Sequence, residues 1–253
     1  MGIFHPRWYG GRMPLNVSQF DYGSEIDGWL VERKIIFQES LVRIPDRLSF
    51  EEASTLPCAA VTAWSALAGS VPIRSGHTVL IQGTGGVSIF ALQLARAFGA
   101  SVIAMTSSAA KMDRLRTLGA DEVLNYKEEQ QWGDRARALT GGRGVDRVVE
   151  VGGGGTIGGS LRAVAAGGEL ASIGFLSADS SSIDFFTLFG SGATFRHISV
   201  GSREDLQDVT KTIAMARIKP VIDRVFGFED ARAAFAHLES GSHFGKVVIR
   251  CVQ

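Results

Sequence analysis

The segment Val79-Leu80-Ile81-Gln82-Gly83-Thr84-Gly85-Gly86-Val87-Ser88 sets an apolar run directly before a cluster of glycines. That order suits the gripping of a diphosphate. Gly83 permits a tight turn out of a strand, and Gly85, lacking a Cβ, lets the main chain approach phosphate oxygens closely. Backbone N–H groups opening the next helix then point at those oxygens, and the helix dipole adds attraction. The candidate contacts are Gly83, Thr84, Gly85, Gly86 and Val87. The third glycine of the G-x-G-x-x-G fingerprint would fall at position 88, where Ser88 stands. A side chain this small still permits helix and strand to pack closely, although the strict motif is broken.

A second cluster tells which dinucleotide would be held. Binders of NADH usually carry an acid after the second strand, bonded to the ribose 2′-hydroxyl. Here the stretch reads Met105-Thr106-Ser107-Ser108-Ala109-Ala110-Lys111. An acid would repel a 2′-phosphate, whereas hydroxyls and an ammonium donate to it. Thr106, Ser107, Ser108 and Lys111 therefore favour NADPH over NADH. Ser107 and Ser108 can also cap the helix that carries Lys111, and the two roles are compatible.

These clusters need a scaffold that repeats. Apolar runs begin near Thr78, Ser101, Glu122, Val145 and Gly168. Their starts are about 21 to 23 residues apart, room for a strand, a turn and a short helix. The runs are apolar throughout, as in parallel strands covered on both faces. Between the first two, Val87, Phe90, Ala91, Leu94, Ala95 and Phe98 form a helical stripe ending at Gly99. The pattern predicts an α/β Rossmann fold, a doubly wound six-stranded parallel sheet with helices on both faces, whose sixth strand covers 193–200. A helix over 203–217, a strand over 221–226, a helix over 229–238 and a strand over 246–251 come after it. Residues 1–50 are broken by prolines and glycines, with strand-like runs at 29–31 and 34–37. Ser49, followed by Glu51 and Glu52, reads as a helix start.

Composition excludes several classes. Lys+Arg and Asp+Glu each number 26, so no electrostatic footprint for nucleic acid is present. There is no signal-peptide core and no run apolar enough to span a membrane. With only Cys58 and Cys251, a disulfide framework is not expected, and a reducing cytoplasm is the expected location.

With these residues in hand, the chain resembles the medium-chain dehydrogenase/reductase superfamily, in its zinc-independent, quinone-oxidoreductase-like branch. The anchors are 56–64 (Leu-Pro-Cys-Ala-Ala-Val-Thr-Ala-Trp), the glycine turn, Leu118-Gly119-Ala120-Asp121, Gly144-Val145-Asp146, Gly174-Phe175 and 243–248 (His-Phe-Gly-Lys-Val-Val). The resemblance implies a nicotinamide neighbour in Thr62. It places Gly152 and Gly153 near the adenosine and Ile173, Gly174 and Phe175 near the nicotinamide. It assigns Phe244 and Lys246 to a loop closing on the cofactor. It also implies a dinucleotide-binding domain over 56–220, with 1–55 and 221–253 forming part of a chaperonin-10-like catalytic domain that is mostly missing at the front. Cys58 stands where zinc-dependent relatives place a metal ligand. The remaining ligands have no counterpart, so a buried apolar cysteine and no zinc are expected.

The reading is an NADPH-dependent oxidoreductase passing hydride to a small molecule: a quinone, an enone or another activated alkene or carbonyl. No catalytic residue can be assigned. The alternative is a shortened, non-catalytic NADPH-binding module, a redox sensor or interaction protein. A methyltransferase using S-adenosylmethionine shares the sheet but usually keeps the acid after the second strand. The short-chain dehydrogenases need Tyr-x-x-x-Lys, and Tyr9, Tyr22 and Tyr126 are followed by Met13, Ile26 and Gln130 instead. Relatives often pair the sixth strand across a two-fold, so a homodimer through 193–200 is expected.

Overall fold

The computed structural model describes residues 1–69, 71–177 and 183–252. The chain divides into two compact units, one of Ala66–Thr84 with Ala91–Ser199, the other of Met1–Ser65, Gly85–Phe90 and Val200–Gln253.

In the first unit, six parallel strands form one sheet in the order β3-β2-β1-β4-β5-β6. They are β1 (Thr78–Gln82), β2 (Ser101–Thr106), β3 (Glu122–Asn125), β4 (Val145–Glu150), β5 (Val164–Ser172) and β6 (Thr194–His197). Residues 79–82 and 102–106 are buried without alternation, as the continuous apolar runs require of strands covered on both faces. The helices of the repeat are α3 (Gly86–Ala97), α4 (Ala109–Thr117), α5 (Trp132–Leu139), α6 (Ile157–Ala163) and α7 (Phe185–Ser191). Leu80, Ile103, Val148, Leu161, Leu170 and Trp132 belong to one buried cluster. Gly133 and Gly159 let α5 and α6 approach so closely that a Cβ on Gly133 would lie 3.0 Å from the Gly159 carbonyl carbon. Glycine in these helices costs propensity but gains packing.

The strand order reverses between β1 and β4, and a doubly wound sheet opens a crevice at the carboxyl ends of such a pair. The outer strand is tied in by charge. Arg196 on β6 donates to Glu169 on β5 at 2.7 Å. Arg147 on β4 lies 3.3 Å from the same carboxylate and donates to the carbonyls of Ala66 and Val71. Burial pushes the Arg147 guanidinium down to about 10, against the opposing pull of Glu169.

The second unit contains α1 (Phe50–Ser54), a π-turn at Leu56–Ala60, the start of α2 (Val61–Ala68), α8 (Arg203–Met215), β7 (Ile222–Gly227), α9 (Ala231–Glu239) and β8 (Lys246–Arg250). β7 and β8 pair in parallel. The Ser49 start is a reciprocal capping box: Ser49 N donates to Glu52 at 3.0 Å and Glu52 N to Ser49 Oγ at 3.1 Å. Residues 29–31 and 34–37 are not strands. Ile35 is fully exposed and Phe37 largely so, and among the described residues no strand pairs with them, so β propensity alone does not make them strands. The N-terminal segment is held instead by His5 against Asp21 at 2.5 Å and by the Met1 nitrogen on the Val42 carbonyl at 2.8 Å.

Candidate functional site

At the crevice, Gln82 ends β1 and Glu150 ends β4. The Gln82 amide donates to Glu150 Oε2 at 2.8 Å, and its Oε1 accepts from the backbone of Val151 at 3.2 Å and Gly152 at 3.3 Å. The Glu150 carboxylate is fully buried. It also accepts from Ser160, from Thr156 at 2.5 Å, and from the amides of Gly152 at 2.8 Å and Gly153 at 3.0 Å. A buried carboxylate is tolerable when it is satisfied in this way.

This network shapes a glycine loop. Gly153 has φ +79, and a side chain there would meet the Phe175 Cα at 2.8 Å; one on Gly174 would meet the Val151 carbonyl oxygen at 2.6 Å. Ile173 N donates to the Glu150 carbonyl at 2.8 Å, and Ser177 N to that of Gly152 at 2.8 Å. Thus Gly152, Gly153, Ile173, Gly174 and Phe175 are brought together, with the Phe175 ring exposed.

A cleft of about 650 Å³ lies beside them, lined among others by Gln82, Gly83, Tyr126, Lys127, Gly152 and Thr156. Its size suits a nucleotide portion. Thr106, Ser107, Ser108 and Lys111 are absent from its lining. Thr106 is buried at the end of β2, and its hydroxyl accepts from Ser108 N at 3.2 Å. Ser108 stands at the N-cap of α4 without a side-chain capping bond, so the capping role expected of it is not seen. The Tyr126 backbone N–H bonds the Thr106 carbonyl at 3.2 Å, which brings the chain after β3 alongside that end of β2. Tyr126, Lys127, Gln82 and Glu150 escaped the sequence reading. A polar residue ending each of two buried strands, Gln82 and Glu150, was the available signal.

The glycine turn behaves differently at each position. Gly83 has φ +74, the left-handed region that disfavours a side chain. A Cβ on Gly85 would meet no atom within 4 Å, so the backbone there faces open space of the kind a diphosphate would fill. Gly86 opens α3 under the Lys246 side chain, and a Cβ on it would lie 3.1 Å from that of Ala59. Thr84 and Ser88 are buried, and Val87 is half-buried. Gly245, with φ +88, forms a parallel bridge with Gly85, and Phe244 beside it is buried. Thr62 is buried, its hydroxyl donating to the Cys58 carbonyl at 2.7 Å.

Cys58 corrects an expectation. Its side chain is exposed rather than buried, in the wall of a cleft of about 400 Å³ lined by Phe4, Tyr22, Trp29, Phe50 and Pro57 among others. The π-turn, whose apolar neighbours Leu56, Ala59 and Ala60 take the interior, leaves Cys58 facing outward. Protein still surrounds the thiol, and this burial pushes it above the ordinary cysteine range, opposed by the Lys246 charge and by Thr62. Among the described residues, no group of three or more His, Cys, Asp or Glu side chains is placed to hold a metal ion. No helix among them is long and apolar enough to cross a membrane.

A switch-point crevice with a glycine turn at the mouth of a doubly wound sheet is the architecture of the dinucleotide-binding class. The sequence profile of the zinc-binding dehydrogenases matches residues 86–215. A zinc-type alcohol dehydrogenase-like protein of Schizosaccharomyces pombe is 39% identical over 234 residues, spanning 90% of this chain and 68% of that protein. A Sinorhizobium meliloti structure provisionally described as an alcohol dehydrogenase superposes with TM-score 0.92 at 40% identity, over 98% of this chain and 73% of that one. An NAD-dependent alcohol dehydrogenase gives TM-score 0.85 at 33% identity, over 91% and 67% of the two chains. A mycobacterial protein solved with NADPH gives 0.74 at 30%, over 82% and 66%. The chain belongs to the zinc-binding dehydrogenase family, within the medium-chain dehydrogenase/reductase superfamily, and is an NAD(P)-dependent oxidoreductase of the alcohol dehydrogenase type.

Proposed function

We propose that the protein binds NADPH in preference to NADH and reduces a quinone, an enone or another activated alkene or carbonyl. The carrying observation is the open side-chain position of Gly85 at the head of α3, together with hydroxyls and Lys111 in place of an acid after β2. A solved relative that holds NADPH supports the choice of nucleotide, while another that is NAD-dependent makes it worth testing.

When bound, the nucleotide supplies the hydride equivalent. The chain's own part is to bind and orient. Gly83, Thr84, Gly85, Gly86 and Val87 offer main-chain donors to the diphosphate. Thr106, Ser107, Ser108 and Lys111 take the 2′-phosphate, with Tyr126 and Lys127 available from the cleft wall. Gly152 and Gly153 face the adenosine; Thr62, Ile173, Gly174 and Phe175 flank the nicotinamide; Phe244 and Lys246 close the cofactor in. Residues 1–55 and 221–253 belong, in this reading, to the catalytic domain.

A second copy completes the assembly through β6. Support comes from its position at the sheet edge and from the exposed Phe195 on it and Phe185, Phe186 and Phe189 on α7.

Calorimetric titration with NADPH and NADH, followed by NADPH-oxidation assays with quinones and 2-alkenals, tests the reading. Tighter NADPH binding with turnover of one acceptor class supports it. Binding without turnover identifies a nucleotide-binding module instead, and binding of neither nucleotide rejects the assignment.

A further inference from the structure

Asp223 near the start of β7 and His237 in α9 form a pair that the proposed nucleotide contacts leave unexplained. His237 Nε2 lies 2.8 Å from Asp223 Oδ2, and Asp223 Oδ1 accepts the Phe244 backbone N–H at 3.1 Å. A carboxylate accepts only, so Nε2 carries the ring proton, and Nδ1 faces Ser242 Oγ at 3.4 Å. Both side chains are mostly buried, with 19% and 18% exposure.

The backbone just beyond Phe244 links this pair to the glycine turn. Gly245 sits in the left-handed region with its missing side chain facing the Val221 carbonyl, which also accepts Lys246 N at 2.9 Å. The same glycine bridges Gly85. Asp223 therefore fixes one end of a short backbone run whose other end lies against the position where the glycine turn opens.

We propose that Asp223 is a positioning residue for the nucleotide diphosphate, acting through Phe244 and Gly245 on Gly85, with His237 orienting its carboxylate. The inference rests on the reading that Gly85 faces a diphosphate. Without the carboxylate, the hydrogen bond that Asp223 accepts from the Phe244 N–H is lost, and with it this hold on the Gly245 backbone. A small displacement of Gly85 then weakens contacts whose strength depends on close approach.

Calorimetric titration of the full chain tests this with two ligands, NADPH and 2′-AMP, the latter carrying the adenosine and 2′-phosphate but no diphosphate. For Asp223→Ala we expect NADPH to bind about tenfold more weakly, the cost of one lost hydrogen bond to a half-buried carboxylate, with 2′-AMP affinity unchanged. Asp223→Asn keeps an oxygen for the Phe244 N–H and is expected within about threefold of the parent. His237→Ala, which leaves the carboxylate in place, serves should Asp223→Ala not fold; it should weaken NADPH about threefold and spare 2′-AMP. Equal weakening of both ligands, or unchanged NADPH affinity in the alanine variants that fold, overturns the proposal. Failure of the parent protein to bind NADPH overturns the nucleotide reading itself.

Discussion

Gln82 and Glu150 meet at 2.8 Å across the neighbouring strands β1 and β4, the side-chain amide donating to a carboxylate with no solvent exposure. The two residues end the strands at which the sheet order reverses, so their bond sets the mouth of the crevice. Through its other oxygen Glu150 gathers Thr156 and the amides of Gly152 and Gly153, giving the loop after β4 its shape.

Glu150→Ala removes the carboxylate acceptor shared by these donors, while Gly152 N–H keeps Gln82 Oε1 at 3.3 Å and the Thr156 hydroxyl keeps the Gly153 carbonyl at 3.3 Å. At roughly 1–3 kcal/mol for each unsatisfied group, partly relieved by relaxation, we expect a loss of about 3 kcal/mol in chemical denaturation. Glu150→Gln, which retains one acceptor oxygen, should cost less. A change below about 1 kcal/mol in the alanine variant would show that the loop does not depend on the carboxylate.

Gly83 and Gly85 should respond in opposite ways. Gly83→Ala forces a side chain into a left-handed backbone at φ +74, at a cost of about 1–2 kcal/mol. Gly85→Val puts its first carbon where no atom lies within 4 Å, so stability should stay within about 0.5 kcal/mol. Its NADPH affinity should nevertheless fall at least about tenfold, because the added carbons take the phosphate's space. Unaltered affinity in Gly85→Val would remove the main support for the diphosphate site.

The Cys58 thiol is reachable but reluctant to ionise, since burial raises it above the ordinary range. Only the thiolate is alkylated, so iodoacetamide at neutral pH should label Cys58 more slowly than a free thiol. The rate should climb as pH rises through that elevated value. Lys246→Met removes a charge that favours the thiolate and should slow labelling further. Mass spectrometry of the labelled peptide reads this directly, and faster labelling in the variant would contradict the assigned electrostatics.

Lys111→Ala tests the choice of nucleotide. A charge-assisted contact to a phosphate is worth about 1.5–3 kcal/mol, so NADPH affinity should drop about tenfold or more while NADH affinity holds. If both nucleotides weaken alike, Lys111 serves the helix and not the 2′-phosphate; comparison with Tyr126→Phe would then show whether the cleft wall does that work.

Phe195→Glu on the edge strand should convert the proposed homodimer to monomer, seen as a halved mass in light scattering. Charge on a strand edge blocks pairing. An unchanged mass, or a parent that is already monomeric, would rule out β6 as the pairing edge.

Much of the architecture was legible because it depends on local pattern. The uninterrupted apolar runs mark strands buried on both faces, and Ser49 with Glu52 specifies a capping box whose donors and acceptors lie a turn apart. The runs at 29–31 and 34–37 misled because a strand needs a partner. Among the described residues, the β-bridges near them are isolated ones, Gly2 with Leu41 and Tyr22 with Ile26. Cys58 misled for a related reason: apolar character suggests burial, yet the π-turn decides which neighbours face inward.

By itself the sequence determined the doubly wound sheet, the glycine turn and the absence of an acid after β2, since periodicity, missing side chains and charge act over a few residues. Only the tertiary structure decided that Gln82 and Glu150 would share a bond, that Gly245 would lie against Gly85, and that Asp223 would hold Phe244. Such contacts join residues far apart in the chain, and hydrogen bonding at these lengths depends on strand order and loop path, which no short stretch of sequence specifies.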